Sequence, residues 1–251
     1  MDFTNKVVLI TGSGVGIGRE TALQFARNGA KVVVNSRSNR GGETLKQLKE
    51  NGADAIFVQA DVSNVNDVMQ MVQKVIDTYG RIDIVVNNAA VVLPGTIETT
   101  TEEDLLETLL VNVQGTFLVS KYVVKEMKKQ NGGVIVNVGS VAAEKGHKDR
   151  SAYSASKGAV LALTKSIAKD CIDDNIRVNC VSPGTTITEG VQAKIDSADD
   201  PEAMEAMYLA RQPVNRLAKT SEIAHTILFA ACDEAAFMNG SNITIDGGLS
   251  I

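Results

Sequence analysis

The chain has 251 residues, 44% of them hydrophobic and 22% charged, which is the composition of an ordinary globular protein long enough to bury a sizeable core. Its net charge of −5 argues against nucleic acid and anionic membrane surfaces as partners, because both require clustered positive charge. We expect no signal peptide and no membrane span, since no apolar run approaches the roughly 20 residues that cross a bilayer. The three cysteines lack metal-ligand spacing, so we predict no metal site and expect free thiols in the cytoplasm.

Short runs rich in Val and Ile alternate with segments of helical periodicity. Val68, Val72 and Val75, for example, recur on one face of the segment 64–79. Repeated strand–helix alternation predicts right-handed βαβ units and therefore a doubly wound parallel sheet with helices on both faces. We expect one domain over 1–251, an α/β fold of the Rossmann type with about seven strands, because no linker or repeat divides the chain. The predicted strands cover 6–11, 30–36, 55–60, 82–87, 133–140, 176–182 and 242–246.

The segment 184–219 interrupts this alternation with prolines and an acidic run. It leaves the carboxyl end of the sixth predicted strand, and ligands of open α/β sheets bind at that edge. Position alone leaves two interpretations open, a lid over a substrate and a solvated surface excursion.

A glycine-rich turn, "TGSGVGIGRE" at 11–20, follows the first predicted strand and opens a helix. Glycine permits a tight turn and lets backbone N–H groups approach a pyrophosphate, whose charge is favoured by the helix N-terminus. The spacing is T-G-x-x-x-G-x-G, with Gly12, Gly16 and Gly18, and it does not fit the general G-x-G-x-x-G pattern.

The stretch "SAYSASKGAV" at 151–160 places Tyr153 and Lys157 four positions apart, and therefore on one helix face. An ammonium near a phenol favours the phenolate and lowers the pKa of the phenol, which would create a proton donor and acceptor. The pair alone is equally compatible with a half-buried aromatic residue and a solvated amine.

The two motifs together resemble the short-chain dehydrogenase/reductase family. Further motifs follow in the family's order across nearly the whole chain: "ADV" at 60–62, "NNAA" at 87–90, "LLVNVQG" around Asn112, "VNVGS" ending at Ser140, "SPGTTIT" at 182–188 and "DGG" at 246–248. Membership implies an NAD(P)-dependent enzyme that interconverts a secondary alcohol and a ketone. It also implies a homotetramer built on the helices around 101–130 and 151–171.

The resemblance implies roles for four catalytic residues. Tyr153 would be the general acid/base, and Ser140 would hydrogen-bond the substrate oxygen. Lys157 would lower the pKa of Tyr153 and bind the nicotinamide ribose, while Asn112 would hold a water that connects Lys157 to solvent. Besides Tyr153 and Lys157, the implied cofactor residues are Gly12, Ser13, Gly16, Ile17, Gly18, Ser36, Arg37, Asp61, Val62, Asn88, Ala89, Pro183, Gly184, Thr186 and Thr188.

The end of the second predicted strand, "VVVNSRSNR", bears on the choice of cofactor. NAD-binding members carry an acid at the position of Ser36 that accepts hydrogen bonds from ribose hydroxyls. Here a neutral serine is followed by Arg37, with Arg40 nearby, and an arginine can bind a 2′-phosphate bidentately. NADP(H) is therefore favoured, while NAD(H) stays possible because the stretch also resembles sugar dehydrogenases of the family that use both.

Three cations, Arg150, Lys194 and Arg211, are expected near the substrate. The segment containing the last of them resembles a subgroup that handles small anions and includes the cytosolic type of 3-hydroxybutyrate dehydrogenase. The carboxylate-binding arginines of that subgroup map onto these positions, with lysine replacing arginine at 194. The expected substrate is a small hydroxy acid or sugar acid, bound together with Ser140 and Tyr153.

Several alternatives stay open. The three cations could lie on the surface and balance the acidic segment, and the substrate could be a neutral sugar, an alcohol or a 3-oxoacyl thioester. His147, between Ser140 and Tyr153, is interpreted as a polar wall residue. A nicotinamide-binding sensor or scaffold is a non-enzymatic alternative, against which the complete set of Ser140, Tyr153 and Lys157 argues.

Overall fold

The computed structural model describes residues 1–251 and contains nine β-strands and nine α-helices. The strands are β1 (Val7–Ile10), β2 (Lys31–Ser36), β3 (Ala55–Gln59), β4 (Ile84–Asn87), β5 (Gly133–Val138), β6 (Ile176–Pro183), β7 (Thr186–Ile187), β8 (Ala218–Lys219) and β9 (Asn242–Ile245). The helices are α1 (Gly16–Arg27), α2 (Arg40–Glu50), α3 (Val65–Tyr79), α4 (Glu102–Leu109), α5 (Gly115–Lys129), α6 (Ser151–Asp170), α7 (Glu189–Asp196), α8 (Pro201–Leu209) and α9 (Thr220–Ala231).

Seven strands form one parallel sheet in the order β3-β2-β1-β4-β5-β6-β9. Each predicted strand overlaps one of them, with ends that differ by at most two residues, so the single-domain doubly wound α/β fold expected from the sequence is confirmed. The chain moves outward from β1 in both directions, first to β2 and β3 and then to β4 and beyond. The connection after β1 and the connection after β4 therefore lead to opposite sides of the sheet. This topology leaves a crevice between them at the carboxyl ends of the two strands.

Alternating side chains divide the core into two clusters, one on each face of the sheet. Val8 of β1 belongs to the cluster that contains Phe25 of α1. Its neighbour Leu9 belongs to the other cluster, with Val72 of α3 and Val123 of α5. Successive strand residues point to opposite faces, so a strand must be apolar throughout when helices cover both sides.

The helix predicted over 64–79 shows how local sequence sets the element boundaries. The Asn64 side chain accepts hydrogen bonds from the N–H groups of Asn66 and Asp67 and thereby caps α3. Gly80 ends the helix with a φ of 76°, a left-handed conformation that glycine adopts without steric cost.

The segment 184–219 contains two short helices and two short strands. The short strands β7 and β8 pair in parallel and close its base, while α7 and α8 form its body. Thr188 caps α7 by accepting from Val191 N–H at 3.2 Å, and Asp200 caps α8 by accepting from Ala203 N–H at 2.9 Å. The segment 184–219 therefore has regular secondary structure and is attached to the carboxyl edge of the sheet.

Two further observations concern the whole chain. None of its helices combines the length and the apolar character needed to cross a bilayer. The three cysteines, Cys171, Cys180 and Cys232, are all buried and unpaired.

Candidate active site

A cavity of about 790 Å³ runs along the carboxyl edge of the sheet. The glycine turn after β1 forms one side of it, and the segment 183–191 forms another. Ser140, Tyr153 and Lys157 line the same cavity, so the two motifs that carried the family resemblance meet in space.

Ser140 follows β5, lines the cavity, and its hydroxyl acts on Tyr153 of α6. Its Oγ accepts a hydrogen bond from Ala142 N–H at 3.1 Å, which fixes the side chain beside the strand end. Tyr153 and Lys157 lie one turn apart on α6, with Lys157 Nζ 5.7 Å from the centre of the Tyr153 ring. Lys157 is only 3% exposed, and its Nζ donates to the carbonyl oxygen of Val138 at 2.7 Å.

Burial affects the pKa values of both residues of the pair. Burial raises the pKa of Tyr153, and the Ser140 hydroxyl and the Arg150 charge oppose this only in part. Burial also lowers the pKa of Lys157 to about 8. Desolvation thus has the largest effect on the pKa of Tyr153, and the role of Lys157 in lowering that pKa stays a prediction.

Asn112 lies in a π-helical segment, Leu110–Gln114, between α4 and α5. Its side chain holds both backbone groups of Val91, accepting from Val91 N–H at 2.8 Å and donating to Val91 O at 3.0 Å. It also donates to Ser156 Oγ at 3.0 Å, and that hydroxyl donates to Tyr153 O. Asn112 does not line the cavity; its side chain joins the loop after β4 to the helix that carries Tyr153, and the role of holding a water stays a prediction.

Most of the predicted cofactor residues line the cavity, and two do not. Ser13 is fully buried and its Oγ donates to Ile10 O at 2.7 Å. Gly18 packs under the turn, where an added Cβ would lie 2.5 Å from Gly12 O. The residues that line the cavity are Gly12, Gly16, Ile17, Ser36, Arg37, Asp61, Val62, Asn88, Ala89, Tyr153, Lys157, Pro183, Gly184, Thr186 and Thr188.

The residues of the turn fit a nicotinamide dinucleotide. Helix α1 has no side-chain cap, and the N–H of Ile17 has no acceptor in the chain, so a donor is available for a phosphate oxygen. The neighbouring Gly16 N–H already donates to a carboxylate, that of Glu189, at 2.7 Å, which shows that this helix end accepts an anion. The Asn88 side chain stabilises the turn by donating to Thr11 O and Gly12 O.

Sequence reasoning missed Glu189. It directly follows the motif "SPGTTIT" and lines the cavity. An acid next to a predicted cofactor loop was the available signal, but its partners on α1 are about 170 residues away in the chain and no local pattern connects them.

The three predicted substrate cations occupy different places. Arg150 acts on the pKa of Tyr153, and together with Arg211 and Lys145 it lowers the pKa of His147, after the larger effect of burial. Lys194 is exposed on α7 and does not line the cavity. Arg150 is thus close enough to act on Tyr153, Arg211 and Lys145 are close enough to act on His147, and neither Arg150 nor Arg211 lines the cavity.

His147 lies among these cations, and its Nε2 atom is buried without a hydrogen-bond partner. The positive charges and partial burial favour the neutral imidazole. A buried polar atom without a partner is costly, so Nε2 of His147 is a hydrogen-bonding group that the protein itself leaves unused.

Comparison with known proteins identifies the family. Residues 12–250 match the family model described as enoyl-(acyl carrier protein) reductase. An uncharacterized oxidoreductase of Thermotoga maritima is 52% identical over 249 residues, which covers 99% of this chain and 98% of the relative. The chain belongs to the short-chain dehydrogenase/reductase family.

Two solved structures support this membership. Levodione reductase has a TM-score of 0.94 at 32% identity, covering 99% of this chain and 98% of its own. NAD⁺-bound xylitol dehydrogenase has a TM-score of 0.92 at 32% identity, covering 99% of this chain and 100% of its own. The family and the enzyme class expected from the sequence are confirmed: this chain is a nicotinamide-dependent oxidoreductase.

Proposed function

We propose that this enzyme interconverts a small hydroxy acid or sugar acid and its keto form, with NADP(H) as the favoured cofactor. The observation that carries the proposal is the position of Tyr153. It shares the cavity with the glycine turn and lies within the influence of Arg150, in a region where Lys145 and Arg211 also act on His147.

Tyr153 holds the proton that is exchanged with the substrate oxygen. In the oxidative direction the alcohol gives its O–H proton to the phenolate of Tyr153, and in the reductive direction the phenol returns a proton to the same oxygen. When bound, the nicotinamide supplies or accepts the hydride at the carbon. Ser140 orients the oxygen by a hydrogen bond, and Lys157 has two further donors available for ribose hydroxyls.

The cations favour an acid over a neutral substrate. Arg150 and Arg211 provide the charge, and the unpartnered Nε2 of His147 provides a hydrogen-bonding group that a carboxylate or hydroxyl can satisfy. A carboxylate bound among them would keep the secondary alcohol close to Tyr153. Lys194 is given no role in this proposal.

The end of β2 favours NADP(H). The Ser36 hydroxyl is already engaged, because it accepts from Gly41 N–H at 3.1 Å and donates to Ser38 O. Arg37 is 63% exposed, and its only ion pair is a long one, with Nη1 3.9 Å from an Asp61 carboxylate oxygen, so most of the guanidinium faces solvent at the rim. Arg40 lines the same part of the cavity and could share the 2′-phosphate.

A neutral carbonyl compound or polyol is the alternative substrate. The names of the two structural neighbours, levodione reductase and xylitol dehydrogenase, favour it, and the second was solved with NAD⁺. The description of the family model adds a carrier-linked acyl thioester as a further candidate.

We extend the proposal to assembly and location. Leu106, Leu110 and Phe117 are exposed on one apolar face of the segment 102–129, which supports self-association there as a homotetramer. The free thiols support the cytoplasm. The start of α7, where Glu189, Gly190 and Val191 line the cavity, supports the interpretation of 184–219 as a substrate lid.

The test is nicotinamide absorbance with purified protein, using NADP and NAD in parallel. Acids are paired with matched neutral compounds, for example 3-hydroxybutyrate with 2-butanol and gluconate with glucose. We expect turnover of acids, and we expect Arg150→Gln and Arg211→Gln to raise KM for the acid while leaving the neutral partner unchanged. Turnover of neutral compounds only would reject the acid proposal and leave the reaction class intact.

A further inference from the structure

A carboxylate from the segment 184–219 occupies the N-terminus of α1. Glu189, the first residue of α7, accepts from Gly16 N–H at 2.7 Å through Oε2. Its other oxygen, Oε1, accepts from Arg19 Nη1 at 2.9 Å. The contact joins the start of α7 to the cofactor-binding turn across 173 residues of sequence.

Both partners on α1 are held in place. Arg19 donates from Nε and Nη2 to Gly14 O at 3.1 and 2.6 Å, so its guanidinium has a fixed orientation. Gly16 approaches the base of α7 so closely that an added Cβ would lie 3.3 Å from Thr188 Cγ2. The contact is therefore a defined junction between two packed segments.

The contact with Glu189 uses a backbone N–H group that a bound diphosphate would need as a donor. The N–H of Gly16 donates to Glu189, and the adjacent N–H of Ile17, a residue that lines the same cavity, has no acceptor. An oxyanion on Ile17 would lie within one residue of the carboxylate. Two anions on neighbouring N–H groups repel each other, and the single N–H of Gly16 cannot satisfy both.

We propose that Glu189 competes with the diphosphate of the cofactor for the N-terminus of α1, so that cofactor binding displaces Glu189 and frees the start of α7 from the turn. Displacement also frees Arg19 Nη1, while Nε and Nη2 keep their acceptor, the carbonyl oxygen of Gly14. The inference rests on the proposed function, because it needs a nicotinamide cofactor bound at this turn. It makes Glu189 a residue that sets cofactor affinity and couples the cofactor site to α7.

The test is a titration of Glu189→Gln with NADPH, ADP and adenosine by isothermal calorimetry at low salt. The amide keeps the shape of the side chain and removes the charge. We expect NADPH and ADP to bind about tenfold tighter than to the wild type, with adenosine unchanged because it has no diphosphate. The gain shrinks when the NaCl concentration is raised, as screening predicts for a partly exposed charge.

Asp199→Asn is the matched control, since it removes one exposed carboxylate from the same segment. It leaves all three affinities unchanged if the proposal is correct. Unchanged or weaker NADPH and ADP binding by Glu189→Gln, in a variant with native circular dichroism, overturns the inference. A wild type that binds neither NADPH nor ADP overturns the proposed function itself, so the two failures are distinguishable.

Discussion

The Lys157 ammonium lies 5.7 Å from the centre of the Tyr153 ring, yet its hydrogen bond goes to the carbonyl oxygen of Val138, 2.7 Å away. One acceptor satisfies one of its three donors, and the side chain is almost fully buried. Burial with a single acceptor destabilises the charged form of Lys157, and it therefore lowers the pKa of Lys157 to about 8. The protein therefore holds an uncompensated cation where ribose hydroxyls are expected to bind.

The first prediction concerns the pH dependence of stability. Because the folded pKa of Lys157, about 8, lies below its ordinary value of 10.5, the unfolded chain binds more protons in this interval and the folded state gains stability as pH rises. We expect the free energy of unfolding of the cofactor-free wild type to rise, relative to Lys157→Met, by about 2 kcal/mol between pH 7.5 and 9.5. Urea denaturation at both pH values measures it.

Lys165→Met is the control for this measurement, since Lys165 lies on the same helix and is exposed. We expect its stability difference from the wild type to be independent of pH over the same interval. A pH-independent difference for Lys157→Met as well would mean that the Lys157 charge is solvated in the folded protein.

The second prediction concerns Ser140 and the pH profile of the reaction. The Ser140 hydroxyl lowers the pKa of Tyr153, against the larger effect of burial. Ser140→Ala should therefore move the rise of the oxidation rate to higher pH and lower kcat by about 10²–10³-fold, the usual cost of one lost donor at a reacting oxygen. Initial rates across pH 6 to 10.5 measure both effects.

Ser140→Thr keeps the hydroxyl and should restore the position of the pH profile. A simple loss of structure in Ser140→Ala would lower the rate at every pH without moving the profile. A profile that stays in place would show that the hydroxyl does not act on Tyr153.

Sequence alone predicted the parts of this molecule that depend on local pattern. Runs of Val and Ile mark strands covered on both faces, and the spacing of Tyr153 and Lys157 fixes their common helix face. The glycine turn is recognisable in the sequence because Gly16, with a φ of 58°, adopts a conformation that other residues rarely reach.

Contacts between distant segments escaped prediction. The junction of Glu189 with Gly16, the hydrogen bond from Lys157 to Val138 and the side-chain contacts of Asn112 all depend on how separate connections meet at the sheet edge. The hydrophobic periodicity of a segment does not indicate which distant segment it will contact. The sequence also could not separate Arg150, which acts on Tyr153, from Lys194, which is exposed on α7 away from the cavity.

The third prediction concerns the cofactor. Arg37→Ala removes an exposed guanidinium at the end of β2, where the 2′-phosphate of NADPH is expected. A hydrogen bond to a charged group contributes about 1.5–3 kcal/mol, so we expect NADPH affinity to fall about 10–100-fold and NADH affinity to change by less than about threefold. Fluorescence titration of both cofactors measures the ratio. Arg27→Ala, which removes another exposed arginine from α1, should leave both affinities unchanged, and equal losses for Arg37→Ala would contradict the assignment.

The fourth prediction concerns assembly. Phe117 is 48% exposed on α5, in an apolar groove of about 770 Å³ that also includes Leu110 and Leu163. A second copy of the chain on this face would bury the ring, so a charge at that position would have to be desolvated in the interface. If the wild type is the proposed homotetramer, we expect Phe117→Glu to give smaller species than the wild type in sedimentation velocity.

Gln70→Glu on α3 adds the same charge at an exposed position outside the groove and should leave the assembly unchanged. If Phe117→Glu sediments as the wild type does, this face is not part of the interface. If the variant dissociates and keeps its NADPH affinity, the apolar face serves assembly alone, because none of the three groove residues lines the cofactor cavity.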